Sequence, residues 1–115
     1  VIGIYVKAND LVSENEQANF CEKGLKSDEK SKTTIYSDIG NCRIELKHLI
    51  ENVKAGKIKK VICSELSRFS RRNNEIIELL DIFIENNVRL VINNEDIDYS
   101  IMKRIVLDIN EIKTT

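Results

Sequence analysis

Three arginines close the segment Val61-Ile62-Cys63-Ser64-Glu65-Leu66-Ser67-Arg68-Phe69-Ser70-Arg71-Arg72, just where an apolar run gives way to polar residues. A guanidinium is a planar fork of donors that grips a phosphate with two parallel N–H bonds. Arg68 and Arg71 are three residues apart. A helix beginning by Arg68 would set both on one face near its N-terminus, where free backbone N–H groups and the macrodipole favour an anion. The plain alternative is a solvated basic turn. Lys7 and Arg43 follow β-like stretches of their own and could share a rim with this turn. Unaided cations of this kind can stabilise a phosphoryl group electrostatically. Phosphodiester binding is the sharpest chemistry these residues support by themselves.

The bulk numbers fit such a reading without requiring it. The 115 residues are enough for one core, and 42% hydrophobic with 32% charged residues is ordinary for a globular chain. Net charge is −1, so any affinity for nucleic acid must come from local clustering, as at Arg68, Arg71 and Arg72. No apolar run reaches membrane-spanning length and no signal-type start is present, which gives a cytoplasmic expectation by default. Cys21, Cys42 and Cys63 form no C-x-x-C pair, and the lone His48 completes no metal site with them. The thiols read as reduced packing residues, and His48 as a surface residue off its helix stripe. The chain starts without methionine and stops after an apolar-periodic stretch, so a piece of a longer protein is expected.

Positioning these cations takes alternating strands and helices. Val1 to Val6 is a nearly continuous β-branched run, the kind covered on both faces in parallel sheets. Ser13-Glu14-Asn15-Glu16 has the form of a capping box, which predicts a helix from there to about Gly24, with Gly24 as its C′ residue. Lys26 to Lys32 reads as loop, Thr33 to Tyr36 as a second strand, and Ser37 to Asn41 as a turn. Leu46, Leu49, Ile50 and Val53 predict a helix ending at Gly56, Val61 to Glu65 a third strand, and Ile76, Leu79, Leu80 and Phe83 another helix. Val88 to Ile92 is a fourth strand. Met102, Ile105, Val106, Ile109 and Ile112 keep helical spacing almost to the end. The sum is an α/β fold of βαβ units with an open, mostly parallel sheet of four to five strands flanked by helices, and a C-terminal helix.

In such sheets ligands sit beyond the carboxyl ends of the strands. That rule puts Lys7 to Val12, Asp38 to Asn41 and Ser67 to Arg72 on one rim, provided the first and third strands are neighbours. A dinucleotide site would need a Gly-rich turn where Lys7-Ala8-Asn9-Asp10 stands, and no P-loop is present. Asp10 and Asp38, the acidic candidates for a metal-dependent site, read as turn residues. No metal and no other cofactor is therefore expected.

Four ordered segments resemble the N-terminal catalytic domain of the serine site-specific recombinases, the resolvase and invertase family. The family's Tyr-x-Arg-x-Ser followed by Gln is similar to Tyr5-Val6-Lys7-Ala8-Asn9 with Gln17. Its Asp-x-Gly with a later arginine resembles Asp38-Ile39-Gly40 with Arg43, and its Leu-Asp-Arg-Leu-Ser-Arg resembles Leu66-Ser67-Arg68-Phe69-Ser70-Arg71. Its Asn-Glu-x-Ile-Asp matches Asn94-Glu95-Asp96-Ile97-Asp98. The resemblance spans essentially the whole chain and implies a single resolvase-type domain over residues 1–115 that acts on DNA.

In that family a serine attacks the scissile phosphate, forming a 5′-phosphoserine link, and arginines rather than metals stabilise the transition state. Carried over, Arg68 and Arg71 are the clamp. Tyr5, Gln17, Arg43, Ser67, Ser70 and Arg72 contact the phosphate or support those that do. The departures matter. Asn9 holds the nucleophile's position, Lys7 that of the neighbouring arginine, and Ser67 that of the aspartate before Arg68. An amide nitrogen is a very poor nucleophile, and losing a nucleophile costs on the order of a million-fold in turnover, roughly 8 kcal/mol of barrier. Lysine keeps the charge but not the fork. Ser13, Ser67 and Ser70 are the hydroxyls nearby that could substitute. Ser13 is explained by its capping box, and Ser70 is a motif member that is not the family's nucleophile.

The readings are therefore a recombinase domain impaired in cleavage, or a non-catalytic DNA-binding or dimerisation module that partners or regulates an active recombinase. A remoter one is an unrelated open-sheet domain binding a small phosphorylated ligand. The stretch from Ser100 resembles the start of the family's dimer helix, which implies a homodimer or higher oligomer. Packing on the sheet would explain the same apolar face. The family's separate DNA-binding domain is absent from this chain.

Overall fold

Ile2–Ala8, the apolar run at the start of the chain, forms β1 near the middle of a five-stranded sheet in the computed structural model. The backbone is described for residues 1–114 and the side chains for residues 1–106. After β1 come α1 (Leu11–Glu22), α2 (Ser27–Lys30), β2 (Thr33–Ile39), α3 (Ile44–Lys54) and β3 (Lys60–Cys63). Then follow a 3-10 turn at Leu66–Arg68, α4 (Asn73–Glu85), β4 (Arg89–Ile92), β5 (Glu95–Asp96) and α5 (Tyr99–Thr114). The strand order is β2-β1-β3-β4-β5, parallel throughout except for the antiparallel β5. The first and third strands are neighbours, as a shared rim requires.

Strand alternation sends β1 to two cores. Ile2, Ile4 and Val6 join Cys21, Leu25, Ile62 and Val91 on the α1 side. Tyr5 joins Leu46, Leu49, Val53, Leu79, Leu80 and Phe83 on the side of α3 and α4. Gly3 lies on that second side because a Cβ there would stand 2.9 Å from Leu49 Cδ1. The near-continuous apolar pattern of β1 is thus explained by cover on both faces.

Several local expectations are corrected. Asp10, not Ser13, is the N-cap of α1: its backbone is extended and its carboxylate accepts the Ser13 N–H at 2.8 Å. A carboxylate two residues past β1 caps as well as a serine would, so the helix starts at Leu11. Gly24 follows the helix without a left-handed φ. The stretch expected as loop contains the short α2, whose first turn is held by Glu29 accepting the Lys26 N–H at 3.1 Å. The third strand ends at Cys63 rather than Glu65. Cys21 and Cys63 are buried free thiols, pushed up by desolvation to about 11 and about 12, but Cys42 is exposed rather than buried as a packing residue would be. His48 is on the surface beside Glu45. In α5, Met102 and Val106 pack on the core while Ile101 and Ile105 face outward, and the packing of Ile109 and Ile112 lies outside the described residues.

Asp38 is the largest surprise. Strand β2 runs past Tyr36, so this aspartate is a strand residue only 1% exposed rather than a turn residue. Its carboxylate accepts the Tyr5 hydroxyl at 2.8 Å and the Glu45 and Leu46 N–H groups at 3.0 Å each. It therefore ties β1 to the positive end of α3. Burial, and next the hydrogen bond to Asp38, hold the Tyr5 hydroxyl well above its ordinary pKa. Asp38→Ala removes three bonds and strands a buried hydroxyl, so it should lower stability by about 3 kcal/mol, against about 1 kcal/mol for Tyr5→Phe. Urea denaturation of both variants measures this, and equal losses would rule out the bond to α3.

Candidate active site

Strand β1 is longer than the ladder it shares with β3. Its register with β2 continues to Ala8 opposite Ile39, but its register with β3 stops at Ile4 opposite Ile62. Gln17, largely buried on α1, fills the gap. Its Nε2 donates to the Lys7 carbonyl at 2.7 Å and its Oε1 accepts the Lys7 N–H at 3.2 Å, as a strand neighbour would. The end of β1 is fixed, and Lys7, Ala8 and Asn9 reach the rim.

The turn after β3 is pinned from below. Phe69 is buried and stacks on Tyr5 with ring centroids 5.4 Å apart, and it meets Phe83 edge-on at 6.0 Å. Ser70, also buried, accepts the Arg72 N–H at 3.0 Å and donates to Glu75. These anchors hold Arg72 in an extended conformation, and α4 begins only at Asn73. Arg68 and Arg71 are therefore not on one helical face as expected. They come from the 3-10 turn and the link that follows it. Arg68 Nη1 stands 3.5 Å from the Lys7 carbonyl and Nη2 pairs with Glu65 at 2.9 Å. The turn after β2 closes the third side: Gly40, at φ +68°, donates its N–H to the Ala8 carbonyl at 2.8 Å. Arg43 then lies across from α4, paired with Glu75 at 2.9 Å.

The three turns enclose a cleft of about 430 Å³ lined by Lys7, Arg43, Arg68, Arg71 and Arg72, with Ala8, Asn9, Ser13, Gly40, Asn41 and Ser67. Five of these side chains are cationic and none is a carboxylate. Of the ten positions singled out in the sequence, the cleft gathers Lys7, Asn9, Arg43, Ser67, Arg68, Arg71 and Arg72. Tyr5, Gln17 and Ser70 lie behind it, with their polar atoms on Asp38, Lys7, Glu75 and Arg72 rather than on the cleft.

Ser13 also lines the cleft, its Oγ accepting from Gln17 Nε2 at 3.3 Å. Asp38 and Phe69 stand inside the motifs quoted from the sequence, but their structural roles were not foreseen, and Glu75 was not singled out. Those roles leave no local signal: Ile35 and Ile39 are exposed on the face of β2 opposite Asp38, so the apolar spacing does not mark the aspartate as buried. Among the described residues no three His, Cys, Asp or Glu side chains cluster in a way that could hold a metal ion. No helix among them is long and apolar enough to cross a membrane.

Residues 7–112 match the family described as Resolvase, N terminal domain. The chain belongs to that family. The resolvase domain also shares its fold with the N-terminal catalytic domain of TP901-1 integrase, at 24% identity and TM-score 0.74, over 98% of this chain and 95% of that one. A resolvase family site-specific recombinase from Streptococcus pneumoniae superposes at TM-score 0.67 with 23% identity, over 99% and 89% of the two chains. A serine recombinase from Sulfolobus solfataricus gives TM-score 0.64 at 16% identity, over 94% and 78%. No curated protein matches the sequence significantly.

Within the resolvase domain, Glu75 joins the Arg43, Ser70 and Arg72 side of the cleft. The Ser70 hydroxyl, and next Arg43, hold its carboxyl below the usual carboxylate range. A depressed folded value stabilises above the unfolded pKa, about 4.3, and that contribution is lost as pH falls through the folded value. Glu75→Gln should therefore flatten the acid limb of stability below about pH 4. Denaturation midpoints of both proteins across pH 6 to 3 measure it, and parallel curves would exclude the linkage.

Proposed function

We propose that this resolvase domain binds the DNA backbone in the cationic cleft, as the catalytic-type domain of a site-specific recombination protein, and is impaired in strand cleavage. The observation that carries the proposal is the cleft itself, with five cations and no carboxylate on its walls in a chain of net charge −1. Arg68 and Arg71 supply forks for one phosphate, with Lys7, Arg43 and Arg72 adding charge around it. Tyr5, Gln17 and Ser70 act through the backbone they hold, and Ser67 offers a hydroxyl at the edge. Asn9 follows the end of β1 at the position where the family has its serine, and it offers no hydroxyl to attack phosphorus.

A second reading has its own support. On α5, Ile101 and Ile105 are 60% and 48% exposed, on the side away from Met102 and Val106. This unpaired apolar edge fits a domain that pairs with a second copy, or with an active homologous subunit, without cutting DNA itself.

The unaltered chain should give no covalent protein–DNA adduct, while binding duplex with an affinity that falls as salt rises. Arg71→Ala should weaken that binding and reduce the slope of log K against log salt by about one. Gel analysis of denatured mixtures and salt-series titrations make both measurements. An adduct formed by the unaltered chain would overturn the impaired reading and point to Ser13 or Ser67. A salt slope unchanged by Arg71→Ala would remove the cleft from the binding surface.

A further inference from the structure

A second pocket, of about 570 Å³, opens beside the cleft between α1 and the ends of β3 and β4, and shares Ser13 and Arg68 with it. Its chemistry is different. Two carboxylates, Glu16 and Glu65, face it, and its one cation, Arg68, is already paired with Glu65. A phosphate would meet repulsion there. Phe20 and Ile92 give the pocket an apolar wall. The Ser64 hydroxyl and Arg68 Nε are both buried without a hydrogen-bond partner, and both residues line it. Buried polar atoms left unsatisfied in this way are uncommon and leave donors over for a ligand.

We propose that this pocket receives an unpaired nucleobase adjoining the phosphodiester held in the cleft. The proposal rests on the cleft binding a DNA backbone, and it adds what the neighbouring space takes. A base has an apolar face that stacks on an aromatic ring and a polar edge read by hydrogen bonds. Phe20 and Ile92 suit the face, and the carboxylates with Ser64 suit the edge. Carboxylates accept from exocyclic amino groups, which cytosine, adenine and guanine carry and thymine lacks. Arg68 stands on the wall between the two spaces, so base and phosphate of one nucleotide could be held together.

The test compares a short oligodeoxycytidylate with an abasic oligomer of the same length and charge, both titrated against the whole chain. The expected result is about tenfold tighter binding of the cytidylate. Ser64→Leu, which fills the pocket, should abolish that preference and leave abasic binding unchanged. Glu16→Ala, on an exposed flank of α1, is a second variant that leaves the core alone and should cut the preference about threefold. Equal binding of the two oligomers by the unaltered chain overturns the base pocket and leaves the phosphodiester reading intact. A preference that survives both substitutions also overturns it. If neither oligomer binds, the phosphodiester reading is overturned, and this one with it.

Discussion

Backbone N–H and C=O groups at the end of a buried strand must be paired, and β1 runs beyond its β3 neighbour while still paired to β2. The side chain of Gln17 closes the ladder on the open side, and Arg68 leans on the same carbonyl. One unmet backbone position thus recruits α1 and the turn after β3 to the tip of the strand. The cleft is the space that remains above that junction. Had β3 continued alongside β1, its backbone would occupy the place through which Arg68 reaches Lys7.

The cations around the cleft are partly tethered. Glu65 holds Arg68, and Glu75 holds Arg43 and, more loosely at 3.9 Å, Arg72. Arg71 and Lys7 have no ion-pair partner among the described residues. Exposed pairs of this kind contribute little to stability. Their effect is to limit where a guanidinium points, so that less of its side-chain freedom is left to be lost. Because both carboxylates stand outside the lining, the field inside keeps one sign despite an overall charge near zero.

Sequence patterning made the sheet legible because strand burial on two faces leaves continuous apolar runs, and the arginine turn legible because the rim rule needs no side-chain geometry. Local competition was not legible. Asp10 and Ser13 are both sound N-caps, and which one wins depends on where β1 stops. The arginines were expected to start a helix, yet Phe69 sinks into the core against Tyr5 and Ser70 binds Arg72, delaying α4 to Asn73. Long-range partners were hidden for the same reason. Nothing near Asp38 in sequence reveals that Tyr5 and the first turn of α3 converge on it. The two residues of β5 are too few to show a period.

The motif positions divide into two kinds. Tyr5, Gln17, Phe69 and Ser70 are held by burial, stacking or hydrogen bonds inside the fold, so changing any of them disturbs the scaffold. Asn9 is exposed and makes no hydrogen bond among the described residues. The side chain at position 9 asks nothing of the core or the sheet. The geometry of the cleft is therefore maintained by folding whatever side chain stands at position 9.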